Sequence, residues 1–153
     1  MDKILKKLPI VATVALLVAG AFLFAGCEKE KKTENDITNI KWHLTKFVDV
    51  ANKTEEAPYP NSSDVYWLKL KINSFEGKSC ANVLMGTVKV DAVTEKITFS
   101  NIGGTEIGEP FDGQRFIDCL KQVHNFKKTT ENTLILYYDN NKKYMQFEKL
   151  NEP

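Results

Sequence analysis

Three cysteines, Cys27, Cys80 and Cys119, and two histidines, His43 and His124, are the side chains of this 153-residue chain that could serve as nucleophiles or soft metal ligands. A thiol becomes a strong nucleophile when a neighbouring imidazole or cation favours its thiolate. A structural zinc site needs four such ligands at short spacings. No Cys-x-x-Cys or His-x-x-x-His occurs, and the two histidines fall on separate segments, so no metal site is expected. Cys80 with His124 is the one nucleophile pair that folding alone would have to assemble. Phe75-Glu76-Gly77-Lys78-Ser79 ends as a phosphate-binding loop does, but the upstream glycine spacing fails and no helix is expected after it. It is read as a β-turn. Gly103-Gly104 lacks a third glycine and a βαβ setting, and is read as a turn or bulge where backbone passes closely. No catalytic residue and no cofactor is expected.

Cys27 stands apart from the other two thiols. Lys3, Lys6 and Lys7 precede an apolar run over 8–24, and Ala25-Gly26-Cys27 closes it. Basic start, apolar middle and small-residue end make residues 1–26 a secretory signal peptide. The run is close to the length of a marginal membrane span, about 17 to 25 residues, so an uncleaved anchor is the competing interpretation. The end of the run decides between them, because Leu23-Phe24-Ala25-Gly26-Cys27 resembles the bacterial lipobox, whose cysteine is alkylated by diacylglycerol and becomes the new N-terminus. Phe24 stands where an aliphatic residue is usual. A multiply acylated Cys27 would anchor the chain to a membrane essentially permanently. Residues 27–36 are highly charged with no apolar side chain, and such a stretch cannot bury enough surface to order itself, so it is expected to act as a tether. The alternation Glu28-Lys29-Glu30-Lys31 leaves the leaflet open.

The remainder has the composition of one modest globular domain. With 21 Lys and Arg against 20 Asp and Glu, the formal net charge is +1. Loss of Lys3, Lys6, Lys7 and Asp2 with the leader turns this into a slight acidic excess. Such a balance gives no general attraction to polyanions, and nucleic acid is not an expected partner.

From about residue 37 to 150 the dominant signal is alternation at period two between turn residues, the mark of half-buried antiparallel strands. Trp42 and Leu44, with Lys46, fall on one face of a first strand and His43, Thr45 and Phe47 on the other. Tyr66, Leu68, Leu70 and Ile72 alternate with Trp67, Lys69 and Lys71. Val88 with Val90, Ile97 with Phe99, Leu134 with Leu136 and Tyr138, and Met145 with Phe147 form further rows. Asp139-Asn140-Asn141-Lys142 is a strong hairpin signal, because Asn and Asp tolerate positive φ. Over 110–123 the period changes: Phe116, Ile117, Leu120 and Val123 are helically spaced behind Asp112, a candidate N-cap. The expected fold is mainly β, of α+β kind. It is a strongly curved antiparallel meander, barrel-like, with one amphipathic helix closing one side or end. Residues 52–64, with Pro58 and Pro60, are a long loop.

Trp42-His43-Leu44, Phe75-Glu76-Gly77, Asn82-Val83-Leu84-Met85-Gly86, the segment 97–109 with Thr105, the helix ending Leu120-Lys121-Gln122-Val123, Leu134-Ile135-Leu136 and Met145-Gln146-Phe147 follow one another in a particular order. That series resembles the META domain family, also called HslJ-like, over about 38–149. It is most similar to lipoprotein members from Bacteroidetes, in which a segment like Ile102-Gly103-Gly104-Thr105 is common. The resemblance implies a compact β-rich domain exported to the envelope, with links to stress response and antibiotic tolerance and no established catalysis. Many members carry a cysteine pair taken as a disulfide. Matching Asn82 and Gly86 puts Ala81 at the first of those positions, and matching Thr105 puts Glu109 near the second, so that bridge is absent here. Cys80 and Cys119 are the cysteines this chain has instead. In an oxidising envelope they could pair, stapling the region of the 77–86 turn to the helix; alternatively Cys119 is a buried apolar side chain and Cys80 a free thiol.

Trp67, flanked by lysines on an outward row, is the residue singled out as a binding surface, since exposed aromatic rings with polar neighbours suit peptide, glycan or apolar contact. The function expected is that of a non-enzymatic envelope lipoprotein, held in the outer membrane through Cys27, that binds an envelope partner or supports stress tolerance. The alternative is a lipocalin-like carrier, which would need an internal cavity of roughly 300 Å³ or more.

Overall fold

Alternating residues form strands where one face can be buried, and the computed structural model describes this over residues 36–151. The elements run β1 (Lys41–Asp49), β2 (Thr54–Glu56), β3 (Trp67–Leu70), β4 (Phe75–Lys78), β5 (Val83–Asp91), β6 (Lys96–Gly104), α1 (Gly113–Gln122), β7 (Asn125–Thr130), β8 (Thr133–Tyr138) and β9 (Lys143–Lys149). The sheet order is β2-β1-β3-β4-β5-β6-β7-β8-β9, and β1 also pairs with β9. All pairings are antiparallel. The meander therefore closes into a barrel, the curved sheet with one helix that the alternation implies. Short β2 lies beside the far end of β1. Its Glu55 and Glu56 pair with Lys46 at 2.6 Å and Arg115 at 2.8 Å, and charge of this kind protects a strand edge from pairing with another chain.

Closure is weakest between β6 and β7, which share the single register pair Lys96 and Asn125. There α1 packs against β6 and turns Phe116, Cys119 and Leu120 into the barrel. Phe116 lies edge-on to Tyr66 at 5.7 Å and near Phe147 at 6.4 Å. Trp42, Phe47, Tyr66, Phe116, Phe126 and Phe147 are all no more than 2% exposed. The interior is filled by large side chains, as barrels of few strands tend to be. Ile37 completes the base, and its carbonyl accepts a 3.0 Å bond from Trp42 Nε1.

Several details depart from what alternation predicts, each for a local reason. A bulge shifts the β1–β9 register between Leu44 and Lys46. It re-phases the strand, so Phe47 joins Trp42 and Leu44 inside and Lys46 turns out to Glu55. Residues 75–78, expected as a turn, are strand β4 instead. Gly77 is required there because a Cβ would stand 2.6 Å from the Trp67 carbonyl oxygen of β3. Ile72 leaves the buried row of Tyr66, Leu68 and Leu70 because the chain reverses over 71–74, where Lys71 N–H donates to the Ser74 carbonyl. β7, nearly without apolar residues, exists through its ladder to β8. The loop over 52–64 contains β2, and the 139–142 hairpin holds Asp139, Asn140 and Asn141 at positive φ.

Candidate functional site

Three connections meet at the end of the barrel where α1 begins: the β4–β5 turn, the β6–α1 loop and the long loop before β3. Their junction is built on Asn82, only 4% exposed. Its Oδ1 accepts from Thr105 Oγ1 at 2.9 Å and from Ile107 N–H at 2.8 Å, while its Nδ2 donates to the Ile107 carbonyl at 2.7 Å and to Glu109 Oε1. Fully buried Ser79 donates its hydroxyl to the same Glu109 carboxylate, and Ala81 N–H donates to Glu109 Oε2 at 3.2 Å. Every partner a buried amide and hydroxyl require is thus supplied within the chain. Ala81, expected at one cysteine position of the META resemblance, and Glu109, expected near the other, meet here through a backbone N–H and a carboxylate. Gly104 permits the close approach: a Cβ there would stand 1.8 Å from the Val83 carbonyl oxygen. The close backbone passage expected at the glycine pair falls on Gly104, beside a register irregularity in the β5–β6 ladder, and Gly103 has nothing within 4 Å of such an atom.

Beyond this staple the two long loops lock each other. Tyr59 N–H donates to Asp112 Oδ2 at 2.8 Å, Asp112 N–H reaches the Tyr59 carbonyl at 3.4 Å, and buried Tyr66 donates its hydroxyl to the same carbonyl at 2.6 Å. Asp112 precedes α1 as expected, yet it makes no side-chain cap bond to the helix, because its carboxylate holds Tyr59 and lies 3.6 Å from Arg115. The result is an aromatic pair held out in solvent. Tyr59 and Phe111 meet edge to face with centroids 4.8 Å apart, and are 63% and 64% exposed. Phe111 sits at φ 52°, a left-handed conformation that a bulky L-residue adopts only under constraint. Ile107, in the same loop, is 60% exposed.

The residues singled out from sequence are placed separately. Trp67 is half-buried on the outer face between His43 and Lys78 of the neighbouring strands, with Lys41 Nζ 4.4 Å over its ring. His43 Nε2 lies 2.9 Å from the Ser62 carbonyl, and burial holds its imidazole below the ordinary value. Cys80 and Cys119 are both free thiols. Cys80 is half-buried and hydrogen-bonds Tyr66, whose phenol is pushed up first by burial and then by that contact. Cys119 is buried against Tyr138, and burial pushes its thiol up. His124 Nδ1 faces the Gln122 carbonyl at 3.2 Å, whereas the contact of Cys80 is with Tyr66. Cys27 lies outside the described residues. Among them, no group of three or more His, Cys, Asp and Glu side chains is arranged to hold a metal ion.

Two hollows flank these elements. One of about 220 Å³ runs between β6 and α1, lined by Asn82, Ile102, Gly103, Glu106, Ile117 and Lys121. Another, of about 510 Å³, lies beside the β3–β4 hairpin and is lined by Phe75, Glu76, Leu84 and the exposed Val83 and Met85. Both open to solvent.

Fold and site together define a filled, helix-closed β-barrel carrying a loop-borne aromatic surface. No family model and no curated protein matches the chain. Solved structures similar in fold include the following two. An NMR structure of a protein from Burkholderia xenovorans superposes with a TM-score of 0.58 at 19% identity, over 75% of this chain and 84% of that one. The crystal structure of a DUF4847 family protein from Bacteroides vulgatus superposes with a TM-score of 0.57 at 17% identity, over 78% of this chain and 99% of that one.

Proposed function

We propose that this chain is a non-enzymatic, META-like lipoprotein of the bacterial envelope, tethered through an acylated Cys27 in the outer membrane, that offers the Tyr59–Phe111 surface to an envelope partner. The observation that carries this is the locked pair itself. Two loops spend their backbone and carboxylate hydrogen bonds fixing aromatic rings that the barrel's own core does not use. Fixed aromatic rings contribute large contact area at little entropic cost, which is why they concentrate where partners dock. The Glu109 staple supports the META-like reading, since it joins the two segments that the family's bridge would join. The carrier alternative is disfavoured by the filled interior, whose inward rows leave the aromatic side chains against one another. The hollow of about 510 Å³ is lined in part by outward residues.

A photo-crosslinking residue placed at Phe111, in the full chain in its native host, tests this reading. It is expected to give one discrete covalent product with an envelope protein, while the same residue at Val50, 51% exposed, gives none. Equal ladders or no product at both positions would overturn it.

A further inference from the structure

The barrel has two unlike ends. Opposite the aromatic pair lies the end at which the chain enters, and hydrogen bonds define its rim. Asn39 N–H donates to the Leu70 carbonyl, Leu150 N–H to Lys41, Lys149 N–H to Asn132, and Val88 N–H to Asn73. The turns over 71–74, 92–95 and 131–132 therefore share this end with the entry at Asp36 and the exit at Leu150.

The tips of two of these turns carry the most exposed of the large apolar side chains among the described residues, Val93 at 93% and Ile72 at 83%. Each stands on a hairpin that does not need it for packing. Charged groups share the rim with them: Lys71, paired with Glu76, precedes Ile72, Glu95 and Lys96 follow Val93, and Lys41 and Lys149 line a separate recess of about 340 Å³ with Asn39, Ile40, Leu150 and Asn151. Several rim acids are occupied locally. Asp91 accepts from Val93 N–H, Thr94 N–H and the Thr94 hydroxyl, Glu131 pairs with Lys128 at 3.1 Å, and Glu76 pairs with Lys71 at 3.0 Å. Aliphatic tips beside ammonium groups match the boundary between acyl chains and lipid phosphates.

Tether geometry selects that occupant. From Cys27 to Asp36 the chain spans at most about 30 Å when fully extended, so an acylated Cys27 holds this rim close to the bilayer. We infer that the entry end rests on the phospholipid surface, with Ile72 and Val93 at the acyl boundary and the Lys41–Lys149 recess over a lipid phosphate, so that the Tyr59–Phe111 end points away from the membrane. This rests on the lipid-anchor reading of Cys27.

Hydroxyl-radical footprinting of the mature acylated protein, in vesicles of phosphatidylethanolamine and phosphatidylglycerol, tests it with matched residue types. Ile72 is compared with Ile107, and Val93 with Val50. Exposure in the isolated domain makes Ile72 and Val93 the more heavily labelled partners. On vesicles they are expected to be labelled at least threefold less than their counterparts. The intact mass of the same sample separates two failures: acyl chains present with Ile72 and Val93 still labelled more heavily overturns the orientation alone, whereas an unacylated mass overturns the anchor and the orientation together.

Discussion

Asn82 and Glu109 were not legible as a pair, because 27 positions separate them and an isolated Asn or Glu in a polar segment is ordinarily solvent-facing. Only the turn that buries Ser79 and the return of the β6–α1 loop give them their roles. Removing the amide leaves the Ile107 N–H and carbonyl and the Glu109 carboxylate short of partners in a part-buried site. Asn82→Ala is therefore expected to lower stability by about 2–3 kcal/mol, from unsatisfied part-buried groups, as read by urea unfolding. His43 gives a separate, pH-dependent signature. Burial depresses its folded pKa below the ordinary 6.5, against the opposing pull of the Ser62 carbonyl and Glu148, so the unfolded chain binds the proton more readily. Its contribution is fully present above about pH 6.5 and declines as pH falls through the window between that value and the lower folded one. Asp49, Asp91 and Asp118 are held below 3.8 mainly by hydrogen bonds, and their contributions decline only in that more acidic range. Unfolding free energy measured across pH should fall just below 6.5, and His43→Gln should flatten that limb alone.

At the level of elements, alternation revealed β3, β5, β6, β8 and β9 because each carries a clear apolar row, and 3.6-residue spacing revealed α1. It mis-phased β1 because a bulge inserts one residue without any sequence mark. It missed β7 because Phe126 is the one apolar residue in Asn125–Thr130, and it read β4 as a turn because glycine signals close packing as well as reversal. The aromatic pair was equally hidden, although Tyr59-Pro60 and Pro110-Phe111 place a ring beside proline in each loop, a signal that could have drawn attention to both. Phe111 offers a contrast with the core. Glycine relieves its left-handed backbone while loosening the unfolded chain, so Phe111→Gly should leave stability within about 1 kcal/mol of the parent. Phe116→Ala, which opens a cavity against Tyr66 and Phe147, should cost about 3–5 kcal/mol. Chemical denaturation of both variants checks this, and an equal loss in the two would mean Phe111 serves the fold after all.

For the whole molecule, closure of the meander into a barrel follows from strands with one apolar face and from the helix that covers the thin β6–β7 seam. That much was legible in the pattern of residues, whereas the unlike ends were not, since they depend on which turns share a rim. The proposed lipid anchor would place the end with the aliphatic tips and lysines on a membrane and turn the Tyr59–Phe111 surface at the other end outward. Both depend on the chemistry at Cys27, and a mass measurement on the natively expressed protein, extracted from membranes and alkylated after unfolding without reductant, tests that most directly. The expected mass is that of residues 27–153 plus acyl chains, with two alkyl groups added because Cys80 and Cys119 are free thiols. A mass without acyl chains would contradict the anchor, and an acylated mass that takes up alkyl groups only after reduction would contradict the free thiols.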